Sequence, residues 1–123
     1  MDQTKSLKMG LMIVRLALAA VFLTHGIMKL MNMDGTVAFF ATLGVSAFFT
    51  YVVAIVEVLA GISMLTGKFT TLFGYLLVII MLVAIFKVKW AKGFAGGYEF
   101  EFTLLMCALG VALSGGSQKP TTT

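Results

Sequence analysis

Residues 47–88 read AFFTYVVAIVEVLAGISMLTGKFTTLFGYLLVIIMLVAIFKV, and these 42 positions carry only Glu57, Lys68 and Lys87 as charged side chains. Thr66-Gly67-Lys68 interrupts the stretch near its middle. About 20 residues on either side, at ~1.5 Å per residue, match the ~30 Å of a bilayer's hydrocarbon core. The spacing predicts two membrane helices, about 47–66 and 69–88, joined as a tight hairpin. Outward from it lie two more apolar runs, about 9–29 and 98–114. The last is near the short end of the range for a spanning helix. The expected fold is therefore all-α: an integral membrane four-helix bundle with short loops, forming a single domain over residues 1–123.

Composition agrees with lipid as the solvent. The chain is 60% hydrophobic and 11% charged, whereas soluble domains run at about 45–50% apolar and ~25% charged. A soluble fold of this size cannot hide so much apolar surface. The net charge of +4 does not point to nucleic acid, because the lysines sit between the spans, where they suit anionic headgroups. Cys107 is the single cysteine, so an intrachain disulfide is excluded and cysteine usage does not identify the compartment. Lys5 and Lys8 precede the first apolar run, but Arg15 interrupts it and the run continues past Ala17-Leu18-Ala19. An uncleaved first membrane helix is expected.

Four spans place Lys5, Lys8, Lys68 and Lys119 on one side and Lys29, Lys87, Lys89 and Lys92 on the other, a tie. The leading lysines of the first helix assign a cytoplasmic N-terminus. In the longest connection, 32–46, Asp34 is expected to cap a short helix whose Phe39, Phe40 and Leu43 lie on the interface. Trp90, Phe94 and Tyr98 recur every four residues, as in an aromatic belt. The polar tail, 115–123, is expected to be loose.

Ionisable residues inside spans carry the information, since a charge at mid-bilayer costs about 2.5–3.5 kcal/mol or more and is retained only where it pairs or works. Arg15 and Glu57 are the clear cases. Arg15 lies about four residues, or roughly 6 Å, from the centre of its span, and an Arg15–Glu57 ion pair between the first two helices is expected. At 100° per residue, Arg15, Phe22, Gly26 and Lys29 share one face, with His25 beside it, and Glu57, Gly61 and Met64 share another. Gly26 and Gly61 allow close helix approach. A polar chamber bounded by Arg15, His25, Lys29 and Glu57 follows. Against it stand a purely structural ion pair, a snorkelling Lys29 and a histidine bonded only to backbone or water. Glu99 shares its direction with Thr103 and Gly110 and is expected to look inward toward Lys87 or Lys29, with Glu101 facing elsewhere; helix-end stabilisation by the dipole is the competing account of both. No nucleotide motif, G-x-S-x-G or zinc-ligand set occurs. The nine methionines are read as apolar filler rather than soft-metal ligands, so no metal site is expected.

The ordered set of motifs resembles the DoxX family of small bacterial and archaeal membrane proteins. Arg15 is followed by Thr24-His25-Gly26-Ile27-Met28-Lys29-Leu30, then by Phe39-Phe40-Ala41-Thr42-Leu43-Gly44-Val45. Glu57-Val58-Leu59-Ala60-Gly61 with Leu65-Thr66-Gly67 comes next, and Lys89-Trp90-Ala91-Lys92-Gly93-Phe94 through Gly97-Tyr98-Glu99 closes the series. The chain departs from that pattern at Lys89, where many relatives carry histidine, and at Gly115-Gly116-Ser117, which no acid follows. The resemblance supports Arg15, Lys29, Glu57 and Glu99 as family-type positions. It implies a four-helix bundle in the cell membrane and a loose association with redox work.

The leading expectation is a subunit of a membrane redox system that handles a quinone or small lipophilic redox molecule in the polar chamber of Arg15, His25, Lys29, Glu57 and Glu99. Apolar walls with a few donors suit quinone carbonyls. Two rivals stand beside it. One is a non-enzymatic adaptor that recruits a soluble oxidoreductase partner. The other is a small-molecule transporter, which four helices support only if the chain forms a homo-oligomer.

Overall fold

The computed structural model describes residues 2–115; the C-terminal tail beyond them, with Lys119, lies outside the described residues. Helix α1 spans Gln3–Met31, α2 Met33–Thr42, α3 Ala47–Thr66, α4 Thr70–Ala84 and α5 Glu99–Leu113. Four stretches among the described residues are helical, long and apolar enough to cross a bilayer: Gln3–Met31, Ala47–Thr66, Thr70–Lys92 and Phe94–Leu113. The outside of the bundle is correspondingly apolar, with Phe48, Ile13, Phe86 and Leu113 all largely exposed. In water this surface would drive aggregation; in lipid it costs nothing.

Each boundary has a local cause. Asp2 caps α1 by accepting from the Lys5 amide at 2.8 Å. Asn32 leaves helical geometry (φ −138°, ψ 61°), ends α1, and caps α2 by accepting from the Gly35 amide at 3.3 Å. The cap is therefore Asn32 and not Asp34, which sits in the first turn of α2, where the helix dipole favours an acid. Gly67 closes α3 in the left-handed region (φ 79°), its amide bonded to the Ser63 carbonyl at 2.8 Å. The next bend needs φ 58° from Phe69, a conformation costly for a side chain of that size. Ser63 holds the turn by donating to the Lys68 carbonyl. Beyond Ala84 the α4 helix widens over Ile85–Lys89 and tightens over Trp90–Lys92 before Gly93 (φ 73°) ends it. A kinked turn, Phe94–Tyr98, leads into α5.

The bundle is two close pairs. Helix α1 packs most extensively on α3 and α4 on α5, and the α3–α4 hairpin joins the pairs. Glycine makes both contacts tight. A Cβ at Gly26 would stand 2.7 Å from Val58 Cγ2, one at Gly61 2.6 Å from Leu23 Cγ, and one at Gly74 2.8 Å from Ala112 Cβ. Close backbone approach of this kind supplies the van der Waals contact that drives association where no hydrophobic force separates helix from lipid. Thr71 adds a hydrogen bond from its hydroxyl to the Ala112 carbonyl at 3.1 Å. Leu18, Phe22, Met64, Leu77 and Val111 fill the centre and are almost wholly buried.

Candidate functional site

The antiparallel α1–α3 contact decides which polar groups meet. Leu23 lies against Gly61 and Gly26 against Val58, while the Arg15 guanidinium lies against Gly67 at the far end of α3. One turn of α1 beyond Gly26, Lys29 projects over Glu57. Its ammonium is 3.0 Å from Oε1 and 3.3 Å from Oε2. The Glu57 side chain is 3% exposed and that of Lys29 24%. A carboxylate so removed from water requires a cation and hydrogen bonds, and Lys29 supplies both.

The pairing corrects the expected Arg15–Glu57 bridge. Gly67, where Arg15 lies, is ten residues from Glu57, or ~15 Å along the helix. The expectation assumed that the two spans align at their centres. The contacts of Gly26 with Val58 and of Gly61 with Leu23 instead slide the C-terminal half of α1 along α3, so the level of Glu57 is met by residues 25–29 of α1.

Lys29 and Glu57 open onto a cavity of about 890 Å³ in the half of the bundle opposite the α3–α4 turn. Its walls come from the second half of α1, the first half of α3, the second half of α4 and the start of α5. Phe22, Val53, Val56, Ile80 and Leu104 make them largely apolar. Helix α2 and its C-cap close one side with Phe39, Phe40 and Leu43. The face expected to lie flat on the interface therefore lines the cavity. The volume is that of a small-molecule site.

His25 also lines the cavity, its ring 6.1 Å from that of Phe100 on α5. Lys87 lines it from the widened end of α4 and donates to the Leu43 carbonyl at 3.5 Å, which ties α4 to the end of α2. Lys89 and Glu101 complete the polar lining with an ion pair at 3.8 Å.

Of the residues expected to bound the chamber, the structure brings together His25, Lys29 and Glu57. Arg15 and Glu99 are not among the cavity's lining residues. Glu99 turns back to accept from the Gly96 amide at 3.1 Å and steadies the kinked turn before α5. The acid that reaches the cavity is Glu101. A wheel drawn from Glu99 alone cannot show this, because the turn at 94–98 sets the rotation of α5 about its axis. Lys89 was equally hidden, since the widening at Ile85–Lys89 changes the angular step per residue. Phe86, Trp90, Tyr98, Phe94 and Phe102 form a chain of rings at this end, with centroids 5.1–5.5 Å apart. Among the described residues no group of three or more His, Cys, Asp or Glu gathers to hold a metal ion.

Comparison with known proteins adds kinship to this geometry. The DoxX family model matches residues 10–90, which include most of α1, all of α2 and α3 and most of the α4 span. A relative from Bacillus subtilis (strain 168), named "Putative oxidoreductase CatD", is 33% identical over 111 residues, covering 90% of this chain and 83% of that protein. No solved structure matches.

Proposed function

This chain belongs to the DoxX family and is a multi-pass membrane protein, and from that premise we propose that it is a subunit of a membrane redox system that binds a quinone or a similar small lipophilic redox molecule. The observation that carries the reading is the Lys29–Glu57 pair set in the wall of an otherwise apolar cavity of about 890 Å³. An ammonium has three donors. Glu57 occupies part of that capacity, which leaves Lys29 able to donate to a ligand oxygen. His25 offers a second polar contact on the same helix. Apolar walls with one or two such donors match the needs of a ring carrying carbonyls. The name of the Bacillus subtilis relative, "Putative oxidoreductase CatD", agrees in chemistry.

The cell membrane is the proposed location. With a cytoplasmic N-terminus, the cavity half of the bundle faces the opposite leaflet, since α1 ends there.

The test is equilibrium binding of a short-chain ubiquinone and a menaquinone to protein in nanodiscs. Saturable binding is expected, weakened about tenfold or more by K29M and by V53W, which fills the cavity from its apolar wall. Circular dichroism of each variant confirms that the helices remain. No binding of either quinone by folded wild-type protein overturns the reading.

A further inference from the structure

The cavity holds a second polar group that the Lys29–Glu57 site does not use. Glu101, on the first turn of α5, lines the wall with a side chain only 13% exposed. Among the described residues its ion pair is with Lys89, whose ammonium is 3.8 Å from Oε2, beyond hydrogen-bonding reach. Its Oε1 is buried and has no hydrogen-bond partner. Among the described residues this carboxylate therefore accepts no hydrogen bond. Burying an acceptor in that condition is costly. The contrast with Glu57, which accepts from Lys29 on the same cavity, is direct.

An ionised carboxylate accepts hydrogen bonds and donates none. The occupant that satisfies Glu101 must bring an O–H or N–H. A quinone has carbonyl oxygens only and leaves the acceptor unsatisfied. The two-electron-reduced ring carries two hydroxyls. One hydroxyl oxygen can accept from Lys29 or His25, and the other hydroxyl can donate to Glu101. Lys89 lies beside it as the ion-pair partner at 3.8 Å and occupies none of its lone pairs.

Resting on the proposal that the cavity takes a quinone-type molecule, we infer that the cavity selects the donor-bearing, dihydroxyaromatic form over the oxidised quinone, with Glu101 as the residue that reads the hydroxyl. Glu101 is thus a specificity determinant, and Lys29 serves both forms. The inference concerns binding alone and requires no electron transfer.

The experiment compares decylubiquinol and decylubiquinone binding to wild-type, E101Q, E101L and K29M protein in nanodiscs, under anaerobic conditions with helicity monitored. Wild type is expected to bind the quinol about tenfold or more tightly than the quinone, the scale of one hydrogen bond to a charged group. E101L is expected to erase that preference and E101Q to narrow it, while K29M weakens both forms together. If both forms bind and wild type does not distinguish them, the inference is overturned and the proposed function stands. Retention of the preference in E101L has the same meaning. If neither form binds, both readings fall.

Discussion

Gly26 of α1 lies so close to Val58 of α3 that a Cβ on the glycine would stand 2.7 Å from Val58 Cγ2 and 3.0 Å from its amide nitrogen. That contact sets the register of the two helices, and the register places Lys29, one turn later, over Glu57. A small residue with no polar atom in its side chain thereby determines which charges meet.

Substitution at Gly26 should separate the helices and strain the ion pair together. G26V is expected to cost about 2 kcal/mol, a fall in melting temperature of roughly 5–10 °C for a chain of this size. Gly10 and Gly110 are also helical but have nothing within 4 Å of the Cβ position. G10A and G110A should leave stability unchanged or raise it by about 0.5–1 kcal/mol, through loss of backbone freedom in the unfolded chain. Thermal melts in detergent compare the three, and a G26V melt equal to wild type would remove the register argument.

The two halves of the Lys29–Glu57 pair should not be equivalent. K29M leaves a carboxylate that is 3% exposed without its cation. The expected loss is about 2–3 kcal/mol, below the ~3–5 kcal/mol of a fully buried pair because Lys29 keeps some contact with its surroundings. E57Q frees a lysine that is 24% exposed and can extend toward the interface, so its expected loss is about 1 kcal/mol. The double variant K29M/E57L should recover much of the K29M loss, since a well-packed apolar pair avoids the desolvation cost. A double-mutant cycle on unfolding free energy in micelles measures all three.

Arg15 should matter for folding and not for the cavity. Its guanidinium packs where a Cβ on Gly67 would fall, and Gly67 itself needs φ 79°. G67A is expected to destabilise by more than about 1 kcal/mol, because alanine is unfavourable at positive φ and would displace the guanidinium. R15Q should lower the melting temperature while cavity-ligand affinity in the folded protein stays within about twofold, a change under ~0.4 kcal/mol. A large loss of affinity in folded R15Q would show that the two halves of the bundle are coupled.

Glu99 and Glu101, two residues apart, should separate cleanly. E99A removes the acceptor of the Gly96 amide and should cost less than about 1 kcal/mol, since that bond is exposed. It should leave ligand affinity unchanged. E101L should alter ligand affinity, because its side chain is part of the cavity wall. Binding and melting data on the same two proteins check the assignment.

What could be read before folding follows from the demands of lipid on each segment separately. The apolar runs, the Thr66-Gly67-Lys68 hairpin, the close approach at Gly26 and Gly61 and the import of Glu57 are all local or single-helix properties. Backbone hydrogen bonds must close within each span, so composition alone specifies helices. His25, Lys29 and Glu57 were found because ionisable residues in a span are costly. The tertiary structure alone decided their partners. The axial offset of α1 along α3, fixed by the contacts of Gly26 with Val58 and Gly61 with Leu23, gave Glu57 to Lys29 and sent Arg15 to the hairpin end. The widened turn at Ile85–Lys89 and the kink at Ala95–Gly96 rotated Lys89 and Glu101 into the wall. Axial offset and rotation about the helix axis depend on how surfaces interlock, and a pattern of residue types along one helix carries no record of either.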